Sequence, residues 1–382
     1  MMPVFKLNFN KKILLLFHKV ILLYHKNSMV PVIFIPDLGI PLAMVFIKHG
    51  IQNKSYGELN MKLEDIKKIT VLGSGVMGHG IAQGFAMGGY PVILYDIDEA
   101  VLSVAHSHIK ESLDLFYESG IYSLDETVSM LAGITTTTDL KAAVEDSDFV
   151  IEVIPEILSL KQTVLQQVES CCRKETIIAS NTSHLKVSDV FAVLKDQTRV
   201  VGAHYFNPPQ ICPTVEVVKG RHTSDQTLQT TYDLMKKIGK DPVKLHKDVV
   251  GLVVNRLQTA LLREAFYLHE QGVISAVDID KAVKGSLGFR AASIGPMTMV
   301  DMGGLDAWLD CCEKLLPIMD ASVKAPTALK DLVDAGHTGI KSGKGFYEYA
   351  KDFSQKGLDE AVKKRDREFL GRLKRNFLSP KR

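Results

Sequence analysis

Lys67 to Asp96 read KKITVLGSGVMGHGIAQGFAMGGYPVILYD, and this stretch sets the reading of everything around it. Ile69, Val71 and Leu72 make a short apolar run into Gly73, Ser74, Gly75, Val76, Met77 and Gly78, and a run of helical periodicity follows through Ile81, Phe85 and Met87. The pattern is strand, glycine turn, helix. Gly73 permits the tight turn, Gly75 lets the backbone approach a pyrophosphate with no Cβ in the way, and Gly78 lets the helix pack close to the strand. The pyrophosphate then lies on the positive end of the helix, over the turn that includes Val76 and Met77. A second apolar run, Val92 to Tyr95, ends in Asp96, 18 residues after Gly78, where a carboxylate accepts hydrogen bonds from the adenosine ribose hydroxyls. Ile97 follows, not an arginine. A 2′-phosphate would meet a carboxylate with no cation to offset it, so the expected dinucleotide is NAD rather than NADP. The plain alternative is a glycine-rich turn in some other α/β protein, and the flanking strands, helix and Asp96 together argue against it. The side chains of Met77 and His79 read as packing at the helix start.

A chain of 382 residues suggests two domains, and 46% hydrophobic with 24% charged residues is the composition of a globular protein with a large core. A formal charge of +2 gives no field that singles out nucleic acid, and neither zinc-ligand spacing nor an RNA-binding signature is present. Small-molecule partners are expected. Cys171 with Cys172, Cys311 with Cys312, and a lone Cys212 form no C-x-x-C and leave an odd thiol under any full pairing, which fits a reducing cytoplasm.

Residues 1–60 stand apart. Ile13 to Tyr24 is apolar but broken by His18 and Lys19, and Val30 to Ile47 carries Asp37, Pro31, Pro36 and Pro41. Neither makes a membrane span of about 20 apolar residues. Lys11 and Lys12 precede the first run as in a signal peptide, but no clean small-residue cleavage site follows. Met61 opens MKLEDIKKITVLG, as a dinucleotide-binding enzyme does, so residues 1–60 are expected to be a gene-start artefact or a disordered extension.

From Asp98 the pattern gives a long helix, Glu99 to Ser119, a second, Asp125 to Leu131, a strand, Asp148 to Ile154, a helix, Leu158 to Val168, and a strand, Thr176 to Ser180. Alternation of this kind implies a Rossmann-type parallel sheet wound on both faces, with ligands at the carboxyl ends of the strands. Just after or within successive strands come Ser180 to Ser183, then His204 to Pro209, then Val215 to Val218 with Glu216. Hydride transfer to NAD needs a group that removes the alcohol proton, and imidazole suits that work near neutrality. A carboxylate on its other ring nitrogen fixes the tautomer, which makes His204 and Glu216 a candidate pair. The plain alternative is a structural histidine at a strand end and a glutamate paired with a surface lysine.

Gly73 to Gly78, Asp96, SNTS at 180–183, HYFNPP at 204–209, VEVV at 215–218, GLVVNR at 251–256 and GKGFY at 343–347 occur in the order found in the 3-hydroxyacyl-CoA dehydrogenases, which the chain resembles from about Lys67 to Tyr349. The lambda-crystallin and L-gulonate dehydrogenase branch is also similar, especially at NPP and NRLQ. The resemblance implies that His204 is general base in oxidation and acid in reduction, and that Glu216 orients it. Ser183 would touch the substrate oxygen and the nicotinamide side, and Asn255 would position the reacting end. Glu156, Lys161, Asn207 and Lys341 match positions that line the cofactor. Read without the resemblance, these four are a helix-start acid, a solvated helix charge, a turn residue and a loop charge.

From about Val249 the spacing of Leu252, Val253, Leu257, Leu261 and Ala265 reads as helical, and the domain 249–350 as all-helical, after a cofactor domain at 61–248. In the resembled family such a domain closes over the substrate and makes a homodimer. Trp308 and the Met297, Met299 and Met302 group read as core. The tail, 351–382, is basic and mildly amphipathic, a helix expected to pack on its own subunit rather than on a membrane. Two departures bear on the substrate. Ser112 matches a position of the coenzyme A branch, but Ser119 stands where that branch often has a lysine for the nucleotide phosphates. Arg290, in the run Gly288 to Arg290, puts a guanidinium where acyl-CoA enzymes often have an uncharged residue, and it could hold a free carboxylate.

Overall fold

The computed structural model describes residues 61–349 and 355–378, and the main chain of 20–25 and 28–33. The chain divides into two compact units, Met1–Gly57 and Glu58–Arg382. In the first, β1 (Val20–His25) and β2 (Ser28–Ile33) pair antiparallel. The remainder of the expectation for residues 1–60 lies outside the described residues.

The second unit holds an eight-stranded sheet built from β3 (Ile69–Leu72), β4 (Val92–Tyr95), β5 (Ile134–Thr137), β6 (Phe149–Glu152), β7 (Ile177–Ser180), β8 (Val200–Tyr205), β9 (Thr214–Val218) and β10 (Asp241–Leu245). Their spatial order is β10-β9-β8-β7-β6-β3-β4-β5. The connecting helices are α1 (Gly78–Met87), α2 (Glu99–Glu118), α3 (Leu124–Ala132), α4 (Leu140–Val144), α5 (Leu158–Cys171), α6 (Val187–Val190) and α7 (Asp225–Lys237). Successive strand residues face opposite sides. Ile69 and Val71 join Ile81, Phe85, Ile109 and Leu234 in one core, and Leu72 and Val150 join Leu165, Val168 and Val190 in another. Both faces of the sheet are therefore covered, the doubly wound arrangement that near-continuous apolar strands demand.

Two features go beyond the sequence reading. β8 and β9 pair antiparallel within an otherwise parallel sheet, a reversal that the alternation of strands and helices does not announce. The link from Tyr205 to Thr214 is too short for a crossover helix, so the chain must turn back on itself. The edge strand β5, sequence ITTT, buries only Ile134 and so carries no apolar alternation to read.

Beyond β10 the chain is helical: α8 (Val254–Glu270), α9 (Ala276–Ala282), α10 (Gly288–Ala291), α11 (Pro296–Gly303), α12 (Leu305–Leu315) and α13 (Thr327–Asp334). None of these buries a residue fully, so Met297 and Met302, expected in the core, stand exposed. The tail helix α14 (Gln355–Leu373) returns to α2. There Leu370 is fully buried with Leu115, Phe116 and Ile211, while Lys363 meets Glu111 at 3.1 Å and Arg367 meets Glu118 at 3.4 Å. No helix among the described residues is long and apolar enough to cross a membrane.

Candidate active site

The turn between β3 and α1 is shaped by what its glycines exclude. Gly73 has φ +99°, a conformation that favours glycine, and a Cβ there would come within 2.9 Å of the Val153 carbonyl oxygen. At Gly78 a Cβ would lie 1.7 Å from the Gly73 carbonyl oxygen. Over Gly75 there is nothing within 4 Å. That open space, at the amino end of α1, fits a pyrophosphate. Asp96 closes the far side. Its Oδ2 accepts from the Ser74 amide and hydroxyl, each at 2.8 Å, and its Oδ1 from the Ile97 amide at 2.8 Å. Ser74 thus ties the Asp96 carboxylate to the glycine turn, a link that spacing alone does not reveal.

His204 and Glu216 are register partners across the antiparallel β8–β9 pair, so their side chains rise from the same face. His204 Nδ1 lies 2.8 Å from Glu216 Oε2, and both groups are buried. The second carboxylate oxygen, Oε1, accepts from the amides of Val253 at 2.9 Å and Val254 at 3.0 Å. Glu216 therefore caps α8, whose own N-cap residue, Val253, makes no side-chain cap. Burial works to raise the Glu216 carboxyl, but the hydrogen bond from His204 and those two amides outweigh it and hold the group below the ordinary carboxylate range. It remains an anion facing the imidazole. Capping also fixes Asn255, one residue into α8, whose Nδ2 donates to the Ser183 carbonyl oxygen at 3.4 Å.

A third set of groups holds the turn after β7. Lys161 is buried on α5, with Nζ 2.6 Å from Glu152 Oε1, 3.0 Å from the Ile154 carbonyl oxygen and 3.2 Å from Glu156 Oε2. This excludes the solvated helix charge as its plain reading. Burial pushes the Glu152 carboxyl up, opposed by Lys161, the Ser180 hydroxyl at 2.6 Å and the Ile154 amide. Glu156 Oε1 accepts from the Thr182 hydroxyl at 2.6 Å and from the amides of Ser183 and His184, each at 2.9 Å. Its carboxyl is raised by burial but lowered further by these donors and Lys161, to about 2. Sequence reading named Glu156 and Lys161 but not Glu152, which looks like an ordinary residue of the apolar β6.

A cavity of about 400 Å³ is lined by Met77, Ser183, His204, Asn207 and Asn255, with Asn181, His184, Tyr205, Phe206 and Gln258 completing its wall. His184 and Gln258 are additions to the expected set. Each stands beside a residue the sequence singled out, His184 next to Ser183 and Gln258 one turn beyond Asn255. Ser112, Arg290 and Lys341 do not line this cavity. Ser112 accepts from Gln210 Nε2 at 3.3 Å behind the 207–212 loop. Arg290 is exposed on α10 and turns back to the Ser286 carbonyl oxygen at 3.4 Å. Lys341 lies exposed in a short helical turn, Ile340–Ser342. All five cysteines are free, and no group of three or more histidine, cysteine or acidic residues that could hold a metal occurs among the described residues.

A glycine turn with room for a pyrophosphate, closed by Asp96, and a buried carboxylate–imidazole pair at the wall of the adjoining cavity make the arrangement of an NAD-dependent dehydrogenase. Residues 68–249 match the model of the 3-hydroxyacyl-CoA dehydrogenase NAD binding domain, and residues 251–349 that of the 3-hydroxyacyl-CoA dehydrogenase C-terminal domain. The chain belongs to the 3-hydroxyacyl-CoA dehydrogenase family. It is 37% identical over 291 residues to 5-formyl-3-hydroxy-2-methylpyridine 4-carboxylate 5-dehydrogenase of Mesorhizobium japonicum, covering 75% of this chain and 92% of that one. It is also 37% identical over 292 residues to the mitochondrial hydroxyacyl-coenzyme A dehydrogenase of Rattus norvegicus, covering 74% and 91%. A crystal structure of an NAD-dependent 5-formyl-3-hydroxy-2-methylpyridine 4-carboxylic acid 5-dehydrogenase superposes with a TM-score of 0.74 at 34% identity, covering 81% of this chain and 98% of that one.

Proposed function

We propose that the chain oxidises a short 3-hydroxyacyl-CoA, such as 3-hydroxybutyryl-CoA, to the 3-ketoacyl-CoA, or runs the reverse reduction. The observation that carries this reading is the buried 2.8 Å contact between His204 and Glu216 at the wall of a cavity that Ser183 and Asn255 share. NAD, when bound, supplies the acceptor for the hydride. His204 takes the alcohol proton on Nε2, because Nδ1 is committed to Glu216. Glu216 stabilises the imidazolium that results, and Asn255 and Ser183 hold the substrate's oxygens. Gly73, Gly75, Val76, Met77, Gly78 and Asp96 bind the cofactor, and Asn207 and Lys341 complete its site. Glu156 and Lys161 act on it by fixing the turn that carries Ser183. We further place the working enzyme in the cytoplasm as a homodimer, with a small-molecule substrate and no nucleic-acid partner.

A second reading, a free hydroxy acid such as L-gulonate or 3-hydroxybutyrate, is favoured by one observation: His184 and Gln258 give the cavity a polar wall. In that reading Arg290, carried in by movement of the helical region or by a second copy, holds the carboxylate. The deciding experiment sets NADH oxidation with acetoacetyl-CoA beside NAD reduction with free hydroxy acids. Turnover of the thioester alone supports the first reading and turnover of free acids alone the second. In the latter case Arg290→Ala should raise KM for the acid sharply.

A further inference from the structure

The cavity contains two side chains that neither proton transfer nor cofactor binding uses. Gln258 lies three residues after Asn255 on α8, so both project from one face of the helix into the same space. Its amide carries donors and an acceptor, and none of them has a hydrogen-bond partner among the described residues. His184 lies on the turn that Glu156 anchors, with Nδ1 2.9 Å from the Ser183 hydroxyl, which leaves Nε2 as its free nitrogen. The side chains that a hydrocarbon segment could pack on are Met77, Phe206 and the ring of Tyr205. An unadorned acyl chain laid against the imidazole and the carboxamide would strip both of water and give neither a partner.

We propose that His184 and Gln258 form a subsite for an additional oxygen function, a hydroxyl or carboxylate, carried by the substrate beyond the alcohol that reacts and the carbonyl that Asn255 addresses. This inference rests on the free hydroxy-acid reading of the cavity, not on the thioester one, and narrows that reading to small, polyoxygenated hydroxy acids. Gln258 grips the extra oxygen directly. His184 offers it Nε2 while holding the Ser183 hydroxyl through Nδ1, so binding at the subsite and orientation of Ser183 are coupled through one ring.

The test uses the full-length chain and compares two substrates, acetoacetyl-CoA reduced with NADH and L-gulonate oxidised with NAD, in the wild type, Gln258→Leu and His184→Leu. A site built to hydrogen-bond a substrate oxygen discriminates against analogues lacking it by up to about 10⁴-fold, and one neutral contact accounts for a modest part of that. The ratio of kcat/KM for L-gulonate to that for acetoacetyl-CoA should therefore fall about 10-fold to 100-fold in Gln258→Leu, mainly through KM for the acid. His184→Leu should lower the same ratio and also reduce kcat, because Ser183 loses its partner. Equal losses on both substrates, or wild-type turnover of acetoacetyl-CoA alone, would overturn the subsite while leaving the dehydrogenase reading intact. A folded, NAD-binding wild type that turns over neither substrate would overturn both.

Discussion

The imidazole at 204 is buried, packed edge-on against Phe206 at 4.7 Å and bonded to Glu216, so the probe of its chemistry must keep its reach and polarity. His204→Gln should keep the fold and NAD affinity, measured by nucleotide fluorescence, while kcat falls about 10²-fold to 10⁴-fold, the usual contribution of one general base. Near-wild-type turnover would show that the proton leaves by another route. Glu216→Gln is the sharper case, because the carboxylate has two tasks. Its Oε1 accepts two amides of α8, which can donate but not accept. A glutamine at 216 must keep its carbonyl toward those amides and present its NH₂ to His204 Nδ1. The ring then carries its proton on Nε2, the nitrogen that must take the alcohol proton. The loss in kcat for oxidation should therefore approach about 10⁴-fold, the scale seen when a base is held in the wrong tautomer. Spacing after successive strands pointed to His204 and Glu216. The amides of Val253 and Val254 left no mark in the sequence, because every residue has an amide and only the fold says which ones converge. Glu156 supplies a pH test. Its folded carboxyl lies at about 2 against an ordinary 4.5, so its contribution to stability is complete above the ordinary value and is lost as pH falls toward 2. In Glu156→Gln the loss of stability with falling pH across that window should be shallower in denaturant titrations. An identical acid limb would mean that the carboxylate is not the group being titrated.

Among the elements, α2 and α14 form a unit that local pattern could only half disclose. The tail reads as a helix from its periodicity, but its partner is set by the folded positions of Leu115, Phe116 and Ile211, far away in sequence. Ile211 belongs to the loop that presents Phe206 and Asn207 to the cavity, and Lys240 holds the same loop through the carbonyl oxygens of Pro209 at 2.6 Å and Cys212 at 2.9 Å. Burial lowers that lysine to about 8, and it is tolerated there because two carbonyl oxygens accept its hydrogen bonds. Leu370→Ala should cost about 2–5 kcal/mol, as deletion of a fully buried leucine does when the site cannot collapse. Denaturant unfolding should show the midpoint moving at unchanged slope. An unaltered midpoint would mean that α14 frays independently of the sheet. The same contrast explains why the direction of the β8–β9 pair is not legible in the sequence while the turn between β3 and α1 is. Strand direction depends on whether the connecting chain is long enough for a crossover, whereas the glycine turn writes its geometry into residue type.

At the scale of the whole molecule, the sheet region and the helical region differ in how they satisfy the hydrophobic effect. The sheet is covered on both faces by its own helices, whereas α8 to α13 leave Leu257, Phe289, Met297, Met302, Leu305 and Val323 in the open. Apolar exposure on this scale is unusual for a monomer and marks a surface made to be covered. A second copy is the occupant that the resemblance implies, and the amphipathic spacing that makes these helices legible also explains why their partner is not: periodicity shows that a face is apolar, not whose surface meets it. The chain should therefore sediment at twice its 42.3 kDa mass at micromolar concentration, with an interface in the obligate range of about 2,000 Å² or more. Met302→Glu combined with Leu305→Glu should shift the equilibrium toward monomer by placing charges on that face. Activity should follow, because α8 carries Asn255 and Gln258 into the cavity while making few buried contacts of its own, so a partner that steadies α8 also steadies the substrate wall. Specific activity should decline on dilution below the dimer dissociation constant and recover on reconcentration, while the NAD-binding turn, built within the sheet region, keeps its affinity. A chain that sediments as a monomer at full specific activity would show that these helices find their cover elsewhere.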